Sequence, residues 1–120
     1  MFIPINKRAV GNQGELQAVK FMKNQGFKIL QRNYLIVGGE IDIVCFKKPD
    51  LYVFVEVKLR TNSSFGRGVD SITTQKKQAL IKCAQCYLLA HHLANVNARF
   101  DVIEFNEDII TWYENAFEIN

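Results

Sequence analysis

Three polar residues interrupt segments that are otherwise apolar. Asp42 lies in Glu40-Ile41-Asp42-Ile43-Val44-Cys45-Phe46, and Glu56 and Lys58 lie in Leu51-Tyr52-Val53-Phe54-Val55-Glu56-Val57-Lys58-Leu59. Both segments are rich in β-branched or aromatic residues and read as strands, and Lys48-Pro49-Asp50 between them is a turn signal, so the pair reads as a hairpin. Side chains alternate along a strand, which puts Glu56 and Lys58 on one face. A reversal around Pro49 sets opposite each other the positions whose numbers sum to 98, and Asp42 and Glu56 meet that condition. Directly opposed residues have Cβ atoms about 4.5–5.5 Å apart. Two carboxylates so placed repel each other unless a cation intervenes. A hard divalent ion such as Mg²⁺ does this with oxygen ligands while retaining several waters. Lys58 supplies an ammonium able to offset charge on a developing phosphorane; beside two carboxylates it stays charged, which favours this role over general base. The competing reading is an exposed edge strand on which the three residues are surface decoration joined by a cross-strand ion pair. A lone E-x-K fits that; an aspartate 14 residues earlier on the paired strand weighs toward a site.

The elements that must position this trio follow from periodicity. Residues 12–25 read as a helix, with Asn12 as cap, Leu16, Ala18, Val19, Phe21 and Met22 as its apolar face and Gly26 as its stop. Residues 27–36 lean to strand and are punctuated by Gly38-Gly39. After the hairpin, 62–68 is a polar, glycine-containing loop. Residues 74–94 form the best helix, capped by Thr73 or Thr74, with Leu80, Cys83/Ala84, Tyr87/Leu88 and Leu93/Ala94 at helical spacing. Residues 99–105 are another strand, Glu107-Asp108 a turn, and 109–113 a final strand. The order α-β-β-β-α-β-(β) combines an antiparallel meander with one helical crossover, which gives an α/β fold: a mixed sheet with a helix on each face.

Composition sets the frame for these elements. The 120 residues, 48% of them hydrophobic and 22% charged, suit a single domain over 1–120 with a real core, and scarce Gly (7) and Pro (2) exclude fibrous and disordered classes. No run of about 18 apolar residues reads as a membrane span. The apolar Met1–Ile5 stretch precedes Lys7 and Arg8, the reverse of a signal peptide's order, and three cysteines in such a chain predict free thiols in a reducing, cytoplasmic setting. The net charge of +3 hides an uneven distribution: +5 over 1–36, zero over 37–60, +4 over 61–99 and −6 over 100–120. The basic excess suits a polyanion such as nucleic acid, although a solvated mixed surface has the same signature.

Gly39-Glu40-Ile41-Asp42-Ile43-Val44 followed by Phe54-Val55-Glu56-Val57-Lys58-Leu59-Arg60 resembles the G-E-I-D-L-I and F-V-E-V-K-x-R blocks of the YraN family. The resemblance extends along nearly the whole chain, through Gly11-x-x-Gly14-Glu15, Gly26-Phe27-x-Ile29-Leu30-x-Arg32-Asn33-Tyr34, Phe65-Gly66, Ile72-x-x-x-Lys76, Ala84-x-x-Tyr87-Leu88 and Arg99-Phe100-Asp101-Val102. The chain departs from the family at Val37 and Gly39, where many relatives have an approach containing Arg or Lys, and at Leu59, where Thr is usual.

That family belongs to the PD-(D/E)XK nuclease superfamily and is similar to Holliday-junction resolvases, so the resemblance implies a restriction-endonuclease-like core. It implies Asp42 and Glu56 as ligands of Mg²⁺ or Mn²⁺, Lys58 as the catalytic lysine and Glu15 as a further acid of the site. Glu15 also has a local reading, as the third helical residue of a capping box with Asn12. Gln75 and Lys76, at the start of the second helix, are implied to face nucleic acid, and a helix N-terminus suits a phosphate. Asp70 and Asp101 read as serving a loop and a strand end.

Other signals weigh less. Cys83-x-x-Cys86 with His91-His92 lacks the paired spacing of structural zinc sites and sits deep within a helix, where the two cysteines are better read as core. Gly11-x-x-Gly14 is too short for a phosphate loop and lacks its lysine. The leading expectation is therefore a metal-dependent phosphodiesterase cutting nucleic acid, most readily DNA and branched DNA. The alternative is a nucleic-acid- or partner-binding module with the same fold and little activity. Ile109–Tyr113 either finishes the core of a monomer or pairs two copies into a C₂ homodimer.

Overall fold

The computed structural model of the protein describes residues 7–60 and 72–119. The expected loop 62–68, with Phe65-Gly66, and Asp70 lie outside the described residues. The elements are α1 (Lys7–Asn24), β1 (Lys28–Ile36), β2 (Gly39–Lys47), β3 (Leu51–Arg60), α2 (Thr74–Ala90), β4 (Asn97–Asn106) and β5 (Ile109–Phe117). The five strands form one sheet in the order β1-β2-β3-β4-β5. All neighbours are antiparallel except β3 and β4, which run parallel because α2 carries the chain between them.

Each face of the sheet is sealed by one helix. On one side Ala18 and Met22 of α1 pack on Ile43, Cys45, Val53, Val55, Ile103 and Phe105. On the other, Leu80, Cys83, Ala84 and Tyr87 of α2 cover Val44, Phe54, Phe100 and Val102. Cys83 is thus core, its thiol directed at the Tyr34 carbonyl at 3.7 Å. Trp112 of β5 closes the α1 side, edge-on to Phe21 and Phe27. Ile109 and Ile110 of the same strand face solvent. Among the described residues no helix is long and apolar enough to cross a membrane.

Two helix ends differ from the expectations. α1 starts at Lys7, so Asn12 lies inside it and not at its N-cap, where a capping box with Glu15 would need it. Glycines at 11 and 14 disfavour helix by about 1 kcal/mol each, yet the helix runs through them. Gly14 is buried where a Cβ would come within 2.8 Å of Leu59 Cδ2, so its lack of a side chain lets α1 lie close against the end of β3. α2 stops at Ala90 rather than 94. His92, at φ +56°, takes the left-handed position; its N–H bonds the Leu89 carbonyl and that of Leu93 bonds Leu88, a Schellman closure made without glycine. Thr73 is the N-cap, its hydroxyl accepting the Lys76 N–H at 3.0 Å.

The feature that shapes the site is a fork. Residues 43–47 pair with 51–55, Ile43 opposite Val55 and Val44 opposite Phe54, so the register around Pro49 is the one the hairpin required. The ladder stops there. β2 continues alongside β1 as far as Gly39, while β3 continues alongside β4 as far as Arg60.

Candidate active site at the sheet fork

Asp42 and Glu56 occupy the first positions beyond the last ladder pair. Ile41 joins the α2 core and Ile43 the α1 core, although residues two apart on a regular strand share a face; β2 therefore turns over at Asp42. The turn aims the Asp42 carboxylate across the gap, where Oδ2 accepts the Val57 N–H at 2.8 Å. A side chain takes over a hydrogen bond that a β2 carbonyl would otherwise have made, which holds the acid in place and stabilises the fork.

Glu56 follows Phe54 on the α2-facing side of β3 and is 8% exposed. Its Oε2 is buried and has no hydrogen-bond partner among the described residues. Burial, then the charge of Asp42, pushes the Glu56 carboxyl up to about 8, against the pull of Lys76 and Lys58. Asp42 rises to about 6, mainly through burial, with the Val57 N–H opposing and Glu15 and Glu40 adding to the shift. The fork thus sets two acids against each other, and burial and mutual repulsion favour their protonated forms.

The structure brings most of the expected residues to this point. Lys58 is half-buried one strand repeat beyond Glu56, close enough for its charge to act on that acid. Lys76, exposed in the first turn of α2, acts on both carboxylates, and Gln75 beside it is exposed. Glu15 is buried near enough to raise Asp42, but its Oε1 is held by Arg32, at 3.2 Å from Nε and 3.1 Å from Nη2. It belongs to the electrostatic surroundings of the pair, with Oε1 engaged in that ion pair.

Sequence reasoning missed the β4 side. Glu104, buried next to Lys58 in the parallel register, accepts from Arg60 Nη1 at 2.8 Å and from the Tyr113 hydroxyl at 3.0 Å. The available signal was Arg60, which shares the strand face of Glu56 and Lys58 by alternation.

The acidic pair fits a hard divalent cation. It offers carboxylate oxygens only, and one of them is buried without a donor. Among the described residues no group of three or more His, Cys, Asp or Glu side chains converges on one point, so most positions around such an ion would belong to water or phosphate oxygens, as Mg²⁺ prefers.

A five-stranded mixed sheet between two helices, forked at an Asp/Glu pair with a lysine two residues on, has a restriction-endonuclease-like α/β core. The family described as "Uncharacterised protein family UPF0102" matches residues 14–105, and the chain belongs to it; this is the YraN family to which the motifs pointed. Over 114 residues, 92% of this chain and 93% of the relative, it is 40% identical to a UPF0102 protein of Vibrio parahaemolyticus. It is 40% identical over 111 residues to one of Saccharophagus degradans, with 92% and 93% covered. A UPF0102 protein of Caldanaerobacter subterraneus is 38% identical over 100 residues, covering 83% and 81%.

Proposed function

We propose that this protein is a Mg²⁺- or Mn²⁺-dependent endonuclease that hydrolyses nucleic-acid phosphodiester bonds, with DNA, including branched DNA, as substrate. The observation that carries the reading is the orphaned, buried Oε2 of Glu56 beside the carboxylate of Asp42. Burying a carboxylate oxygen without a donor is costly, and a fold keeps such an arrangement where a cation completes it. Asp42 and Glu56 would hold the ion, which supplies Lewis-acid charge beside the phosphate and a water of lowered pKa. Asp42 is fixed for this by the Val57 N–H. Lys58, on the Glu56 face of β3, offsets charge that builds on the phosphorane oxygens. Lys76 and the free N–H groups at the start of α2 bind a neighbouring phosphate and orient the strand. Such contacts are to backbone phosphates, so binding weakens steeply with salt and reads little sequence. A cytoplasmic setting suits the free thiols of Cys45 and Cys83, which burial pushes up to about 12 and about 11.

The test is a cleavage assay on duplex, single-stranded and four-way-junction DNA with Mg²⁺ or Mn²⁺. Asp42→Ala, Glu56→Ala and Lys58→Ala should each lower the rate by about a hundredfold or more. Activity surviving all three substitutions would belong to a contaminant. Binding without cleavage would make the protein a module that keeps the fold for recognition alone. Symmetric cutting of a junction needs two sites and hence a C₂ dimer. Light scattering with junction DNA that shows only monomer would limit the activity to single nicks.

A further inference from the structure

The two strands of the β1–β2 ribbon turn over together, at one level. On β1, Arg32 reaches Glu15 of α1, while Tyr34, two residues on, packs against the α2 core. On β2, Ile43 lies in the α1 core and Ile41 in the α2 core. Residues two apart on a regular strand share a face, so each strand is inverted at the residue between, Asn33 on β1 and Asp42 on β2. Arg32 pairs with Ile43 and Tyr34 with Ile41, which sets Asn33 opposite Asp42, and at that level the register has no pair.

Asn33 carries the conformation that makes the inversion. Its φ is +55°, in the left-handed region, where a non-glycine residue is uncommon and Asn is several-fold enriched. Four non-glycine residues among the described residues have a positive φ. His92 closes a helix and Glu107 lies in a turn; Asn33 and Asn115 lie within strands. Each of these two adjoins a carboxylate that accepts a backbone N–H, Asp42 that of Val57 and Asp101 that of Asn115 itself. The Asn33 side chain is exposed and makes no hydrogen bond among the described residues. What the position uses is therefore the backbone of asparagine, not its amide group.

We infer that Asn33 is a positioning residue for Asp42: its left-handed backbone turns the β1–β2 ribbon over, so that the Asp42 carboxylate lies across the fork toward β3 rather than on a face of the sheet. The inference deepens the proposed function and rests on it for the cation that Asp42 holds. On a regular strand, side chains stand roughly perpendicular to the sheet. Asp42 there would project from a face, away from the Val57 N–H that it accepts at 2.8 Å. Extended backbone at 33 would restore that arrangement, since β1 and β2 pair on both sides of the inversion and must turn together. A β-branched residue disfavours the left-handed region and favours strand, so it pulls in that direction. Glycine enters the left-handed region without steric cost and does not.

The test compares Asn33→Val with Asn33→Gly in the full-length protein by two measurements. Mn²⁺ affinity is read by electron paramagnetic resonance, and hydrogen exchange of the Val57 amide by NMR in EDTA. Asn33→Gly should keep the wild-type values of both. Asn33→Val should weaken Mn²⁺ binding by about ten- to hundredfold, the usual cost of losing a group that orients a metal ligand. Its Val57 amide should exchange as fast as that of Asp42→Ala. Val55, which stays in the β2 ladder, should remain protected, whereas a change that merely loosens the sheet would expose both amides. Asn33→Ala, a milder change in the same direction, should give the same ordering if Asn33→Val does not fold. Unchanged Val57 protection and Mn²⁺ affinity in folded Asn33→Val or Asn33→Ala overturns the positioning role. So does loss of both in Asn33→Gly, which would assign the role to the side chain, and so does equal loss of protection at Val55 and Val57. A wild type whose Val57 protection depends on Asn33 as expected, yet which binds no Mn²⁺, bears out the positioning and overturns the metal site of the proposed function.

Discussion

Two pairs of acids, buried except for the half-buried Asp42, lie in neighbouring strands of one sheet, and their surroundings are opposite. On β4, Asp101 is fully buried and each oxygen has two donors. Oδ1 takes Arg99 Nε at 3.0 Å and the Asn115 N–H at 2.9 Å, and Oδ2 takes Arg99 Nη2 at 3.2 Å and Trp112 Nε1 at 2.9 Å. Glu104 is likewise engaged by Arg60 and Tyr113. At the fork, Asp42 has one backbone donor and Glu56 keeps an oxygen with none. The β4 acids tie β5 to the sheet and complete a structure. The fork acids do the reverse: they oppose each other, and one buried oxygen is left without a donor among the described residues.

The largest expected effect tests the satisfied side. Asp101→Asn leaves Arg99 facing a neutral group and puts an amide donor against donors, so stability should fall by about 3–5 kcal/mol in urea denaturation. A loss no greater than that of an ordinary surface substitution would remove the contrast.

Next in size is Glu56→Gln. The folded-state pKa values of Glu56 and Asp42, about 8 and about 6, lie above their ordinary values of 4.5 and 3.8, so the folded state binds protons more tightly than the unfolded one. The stability linked to those protons is complete below about pH 4. It declines as pH rises through about 6 and is lost beyond about 8. In chelator, wild-type melting temperature should therefore fall between mildly acid and alkaline pH. Glu56→Gln should flatten that fall and be more stable than wild type at pH 9, by on the order of 2–4 kcal/mol. Mn²⁺ should restore the wild type and leave the variant unmoved. A wild-type profile that is flat in chelator would mean that the fork acids are compensated after all.

The smallest effect calibrates the other two. His92→Gly relieves a left-handed backbone far from both acid pairs and should stabilise the protein by up to about 1 kcal/mol at pH 8. Because it alters neither pair, it should leave the pH dependence of melting attributed to Glu56 in place.

What could be read from the residues alone followed from how local the determinants were. The turn at Pro49 fixes the register of two adjoining strands, so the opposition of Asp42 and Glu56 was legible within a short stretch of chain. The start of α1 was not. Its glycines argue against helix locally, and the contact of Gly14 with Leu59 joins segments distant in sequence. The early end of α2 was hidden because Leu93 and Ala94 continue the apolar period, while the residue that takes the left-handed turn is a histidine. Asp101 read as a strand-end acid because its donors come from β4 and β5, and only the fold brings them together. The strand fork itself has no sequence signal beyond a polar residue where an apolar one would be expected.

The fork also has a mechanical meaning. Its two prongs, β1–β2 on one side and β3–β4–β5 on the other, are joined through the seam of 43–47 with 51–55. When two prongs flex about a common root, displacement is least at the root and grows with distance from it. Asp42 and Glu56 sit at the root, and Val37 sits at the far end of one prong. The sheet thus works as a tuning fork does: the two carboxylates are clamped at the stem, and the tip of the β1–β2 hairpin has the travel.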